Sequence, residues 1–133
     1  MLFSDDARYV SLNRRDTTLT AAQGIPFISG GTNFNAIFQR ANRVYDRIVI
    51  LSDMQGWIGG GAPVEAFRDY KMRHAVTPRI YSFDLKGCGT LQFPQERVFC
   101  LAGWHDRVFE MMQKLDRDPE ALIREVEAVA LAD

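Results

Sequence analysis

Apolar positions along this chain follow two rhythms: short unbroken runs, and stripes at helical spacing. Runs come at residues 1–3, 47–52 (RIVILS), 79–85 (RIYSFDL) and 97–103 (RVFCLAG), and each predicts a strand. A second strand over 8–12, separated from the first by the turn SDDA, predicts an antiparallel hairpin at the start. One stripe is Phe34, Ile37, Phe38, Ala41, Val44 and Tyr45. A second helix opens at Pro63, where a missing N–H costs nothing, and continues to about His74. Trp104, Val108, Met111, Met112 and Leu115 mark a third, with Trp104 and both methionines read as core. After Asp118-Pro119, Leu122, Ile123, Val126 and Val129 share the face of a last one. A weaker pattern predicts a short helix over 19–23, ended by Gly24 and Pro26. The run IVIL is apolar on both faces, which suits a parallel strand buried on both sides.

Strands alternating with helices predict one α/β domain over 1–133. Its expected architecture is three-layer: a mostly parallel sheet with an N-terminal antiparallel hairpin and helices on both faces. Composition agrees, with 47% hydrophobic and 25% charged residues in a chain of 133. Charge narrows the function. A net charge of -1 lacks the Lys/Arg surplus on which non-specific nucleic-acid binding rests. Two cysteines, Cys88 and Cys100, make no disulfide framework, and Cys100, inside an apolar run, is expected as a buried free thiol. No signal-peptide pattern or bilayer-length apolar stretch is visible, so a reducing cytoplasm is the expected compartment, with no membrane partner.

Candidate chemistry gathers where open α/β sheets hold their sites, beyond the carboxyl ends of strands. Ser52 and Asp53 end the RIVILS run. Gly30, Gly31, Thr32 and Asn33 form the loop before the helix at Phe34, on the rim where Asp53 is expected. A Thr hydroxyl and a carboxylate are hard oxygen donors of the kind Mg²⁺ takes, but two of them do not complete a site. Plainer uses compete. Thr32 or Asn33 can cap the helix, and Asp53 can cap a turn. Trp57, in the glycine-rich loop beside Asp53, is the candidate contact residue or else a loop anchor. GGGAP lacks the Lys and Ser/Thr of a nucleotide loop. His105 and Asp106 follow the last strand and can face the same rim, while His74 suits a helix dipole. No Ser/His/Asp or Cys/His set points to an enzyme.

GGTNFNAIF, RIVILSDMQ, RIYSFDL and QFPQERVFCLAGW, in this order and spacing, resemble a von Willebrand factor A domain. More narrowly, the chain resembles the C-terminal A-type domain of the TROVE/Ro family of RNA-binding proteins, in its bacterial and phage branch. The resemblance covers most of the chain and implies a non-enzymatic binding module of a ribonucleoprotein. It implies a metal-ion-dependent adhesion site to which Thr32 and Asp53 contribute, with a weakly held Mg²⁺ or other divalent cation. Gly30, Gly31, Asn33, Ser52, Trp57 and His105 would form its rim. The family's Asp-x-Ser-x-Ser motif is absent, as are the first strand that carries it and the RNA-binding helical repeats. That strand would lie between the hairpin and Arg47–Ser52. Its loss implies one of three outcomes: the hairpin pairs directly with Arg47–Ser52, another chain supplies a strand, or the chain is one piece of a longer or split protein; closure or completion is expected over an open slot. A protein partner or homo-oligomer is thus expected, with RNA contacted weakly by this chain alone. The alternative function is a metal-independent assembly module that pairs through an exposed sheet edge, and a metal-dependent hydrolase stands third.

Overall fold

The computed structural model describes residues 1–26, 30–56, 62–87 and 96–129. Two short strands, β1 (Leu2–Phe3) and β2 (Ala7–Arg8), form an antiparallel hairpin. Two helices follow, α1 (Thr18–Gln23) and α2 (Phe34–Arg40). The remaining elements are β3 (Arg47–Ser52), α3 (Pro63–His74), β4 (Arg79–Asp84), β5 (Val98–Ala102), α4 (Val108–Arg117) and α5 (Ala121–Glu127). The chain is therefore α/β: a parallel sheet ordered β3-β4-β5 and a separate two-stranded hairpin. No helix among the described residues is long and apolar enough to cross a membrane.

Strand alternation sends side chains to two faces. On one face, Ile50 and Ile80 pack under α2 and α3 with Phe34, Ile37, Phe38, Phe67 and Tyr70. On the other, Tyr81 and Phe83 pack under Val108, Met112 and Leu115 of α4. Burying each large side chain contributes roughly 1.5–3 kcal/mol, so these two clusters fix the helices to the sheet. Pro63 opens α3 as expected, and Ala75, in the left-handed region at φ 49°, closes it.

Several expectations need correction. The stripe through Val44 and Tyr45 does not continue α2, which ends at Arg40. Its last turn is capped from α3: the Arg73 guanidinium donates to the carbonyls of Phe38 (2.7 Å) and Ala41 (3.2 Å). Trp104 is half exposed, with its ring against Phe83 and Phe109, rather than core. Only Leu122 of the last stripe packs inward; Ile123, Val126 and Val129 are exposed. Cys100 is exposed, because its face of β5 lies beyond the cover of α2 and α3. Partial burial, with Asp84 nearby, still pushes its thiol pKa up. RIVILS is not buried on both sides either. Val49 and Leu51 point to the α4 face but are 45% and 48% exposed, since α4 covers β4 and not β3.

Candidate functional site

The Gly-Gly-Thr-Asn loop is tied to the hairpin. Gly31 N–H donates to Asp5 Oδ1 at 2.6 Å, and Asn33 N–H to the Ser4 carbonyl at 2.7 Å. Asn33 Nδ2 donates to the Asp5 carbonyl, while its Oδ1 accepts from Asn35 N–H. The helix cap is thus Asn33 rather than Thr32. Gly30 has φ +139°, and a Cβ there would lie 2.5 Å from Asp5 Oδ2. The glycine pair does permit a close approach, as its composition suggests, but the approaching group is the chain's own Asp5 carboxylate.

Asp53 follows β3 on the expected rim. Its Oδ2 accepts from Lys86 Nζ at 3.2 Å. Ser52 Oγ accepts from Met54 N–H, and Met54 takes φ 56°. Asp84, buried at the neighbouring strand end, accepts from the Lys86 and Gly87 N–H groups. Thr32 and Asp53 share no hydrogen bond among the described residues. No group of three or more His, Cys, Asp or Glu among those residues can hold a metal. Two protein oxygens, one already facing an ammonium, fall short of the oxygen set that a tightly held Mg²⁺ requires. His105 is exposed, and its Nδ1 accepts from Arg107 N–H. His74 packs its ring on Tyr70 with Nε2 3.2 Å from the Ala41 carbonyl, at the end of α3. Trp57 lies outside the described residues.

A different feature dominates the surface. The hairpin does not pair with β3: no backbone hydrogen bond joins them among the described residues. Direct closure of the sheet by the hairpin, one of the three expected outcomes, is therefore not what the chain adopts. The reason is that the hairpin rides on α2. Phe3 packs on Phe34 with ring centroids 5.5 Å apart, Arg40 chelates Asp6 (2.9 and 2.6 Å), and Asn33 holds Ser4. Between β1 and β3 an open slot remains. One part, about 310 Å³, is lined by Met1, Leu2, Phe3, Ile37, Val49, Ile50 and Leu51. A second part, of about 210 Å³, adjoins it and shares Met1 and Val49 in its lining.

That second part, the foot of the slot at the start of β3, is more polar. Tyr9, Tyr45 and Arg47 line it. The Tyr9 and Tyr45 hydroxyls lie 2.9 Å apart, and burial followed by this hydrogen bond pushes the Tyr45 pKa up to about 12. Arg47 pairs with Asp116, which also accepts from Tyr81 OH at 2.7 Å and lies 3.7 Å from Arg79 Nε. Burial, then the bond to Asp116, raises the Tyr81 pKa strongly. Sequence reasoning did not find this foot. Its residues come from the segment after β2, the loop after α2, β3 and α4, and none carries a local motif. The one available signal was the run IVIL, whose second apolar face, Val49 and Leu51, is about half exposed.

Comparison with protein-family models, curated proteins and solved structures found no match for this chain.

Proposed function

We propose that this chain is a non-enzymatic binding module that takes an extended segment of another polypeptide into the slot between β1 and β3. One observation carries this reading: an apolar groove walled by one strand of the hairpin and by the outer edge of β3, which has no strand partner among the described residues. Unpaired strand edges are templates for pairing and are normally covered. A strand added there would hydrogen-bond through its backbone and bury alternate side chains against Ile37 on one face and beside Val49 and Leu51 on the other. A second copy of this chain is one source of such a segment.

The resemblance to the A-type domain of TROVE/Ro proteins supports the same class, a binding module in an RNA-associated protein. With a net charge of -1, RNA contact would fall mainly to other parts of that assembly. A divalent cation at Thr32 and Asp53 belongs to this second reading as a weak ligand in competition with Lys86. If it binds, Mg²⁺ raises the unfolding temperature and Asp53→Ala removes the rise; an equal rise in Asp53→Ala would exclude that site.

The strand reading is tested with a fluorescein-labelled hexapeptide of alternating valine and threonine, titrated in EDTA and followed by anisotropy. Saturable binding is expected, abolished when alternate peptide nitrogens are methylated. No saturable binding up to about 1 mM, an affinity of only about 4 kcal/mol, contradicts it.

A further inference from the structure

We infer that the segment received by the slot is apolar along its body and carries an acidic group at the end that lies against Arg47. This rests on the strand-uptake reading above and adds the chemistry of the occupant. The two parts of the slot differ in character. Around Leu2, Phe3, Ile37 and Leu51 the lining is apolar and selects only for hydrophobic side chains. At the foot two phenols and a guanidinium, Tyr9, Tyr45 and Arg47, join the apolar lining of Met1, Ala41, Ile48 and Val49.

The charges at the foot do not balance. Arg47 and Arg79 share one carboxylate, that of Asp116, and the Arg43 guanidinium lies over the Tyr9 ring. Asp116 already receives the Tyr81 hydroxyl and Arg47 and stands close to Arg79, so it cannot neutralise both guanidinium groups. Arg47 is half exposed, and a guanidinium has five N–H donors, more than one carboxylate satisfies. The Tyr9 and Tyr45 hydroxyls share one hydrogen bond, which leaves the pair a proton to offer. An incoming carboxylate would meet charge-assisted donors and relieve the surplus positive charge, whereas an incoming ammonium would add to it. A fatty acid has the same polarity, but it has no backbone to satisfy the strand edges on either side. The edges therefore favour a peptide.

The test uses capped, labelled peptides of identical apolar body whose terminal residue, at either end, is glutamate, glutamine or lysine. The glutamate peptide, in one of its two placements, is expected to bind about tenfold more tightly than its glutamine counterpart at low salt. The gap should shrink as salt rises. Arg47→Gln should close the gap between the glutamate and glutamine peptides. If the three peptides bind wild-type protein equally, the acidic occupant is wrong and strand uptake stands. If none binds, both readings fall. Because the peptide series is decisive on wild-type protein, poor folding of Arg47→Gln would not rescue the inference. Dodecanoate, which has the carboxylate and apolar chain but no peptide backbone, serves as competitor. Binding as tight as that of the glutamate peptide overturns the peptide assignment.

Discussion

The strands β3 and β4 lie side by side in register, with Val49 opposite Tyr81 and Leu51 opposite Phe83. Their sequences, RIVILS and RIYSFD, are similarly apolar, and β3 has the longer unbroken apolar run. Yet Tyr81 and Phe83 are completely buried, whereas Val49 and Leu51 are about half exposed on the same face. The difference lies in what covers each strand. β4 has a neighbour on both edges and α4 above it; β3 has, among the described residues, one strand neighbour and an open slot. Hydropathy records a strand's readiness for burial, and an apolar strand left half bare marks where something else fits.

This contrast can be broken most sharply at Phe83. Phe83→Ala should cost about 3–5 kcal/mol in denaturant unfolding, because it empties a packed site. A loss below about 1 kcal/mol would mean β4 is not the buried spine of the sheet.

Next comes the joint that keeps the hairpin on α2 and away from β3. Gly30→Ala should cost about 1–3 kcal/mol, since alanine meets both a positive φ and the Asp5 carboxylate. Unchanged stability would show that the loop does not depend on this approach.

Alkaline titration reads the same frame through its phenols. Tyr45, Tyr70 and Tyr81 all have raised pKa values, burial being the first cause of each. The unfolded chain would lose those protons from about pH 10, ahead of the folded one. Their contribution to stability is therefore intact below pH 10 and lost as pH rises through the folded values. Ultraviolet absorbance should show most phenols ionising late, together with unfolding; early, independent ionisation would contradict the burial.

The smallest effect belongs to β3 itself. Leu51→Ser should change stability of the isolated chain by less than about 1 kcal/mol but weaken uptake of the valine–threonine peptide. A loss as large as that at Phe83 would mean Leu51 is already covered.

Much of the fold was legible in the sequence. The apolar runs located all three strands of the parallel sheet, and Pro63 and His74 bounded α3. The hairpin was legible from SDDA, although its strands are only two residues each. Less legible was anything set by cover from distant elements. α2 ends early because Arg73, more than 30 residues on, caps it. Trp104 and Ile123 look like core at helical spacing, but Trp104 only rests one side of its ring on Phe83 and Phe109, and Ile123 is exposed. The candidate rim was half legible. Asp53 does end a strand and Gly30 does need to be glycine, but their immediate partners, Lys86 and Asp5, come from elsewhere in the chain. The slot foot joins Tyr9, Tyr45, Arg47 and Asp116 from four segments, which no local pattern announces.

The most direct measurement is residue-resolved amide hydrogen exchange on dilute, monomeric protein, with and without the valine–threonine peptide. In a parallel strand, alternate N–H groups face opposite edges. An open slot predicts that alternate β3 amides exchange fast while those of β4 stay protected, and that peptide slows the fast set. If every β3 amide in the free monomer is as protected as those of β4, the slot is closed and the account is wrong.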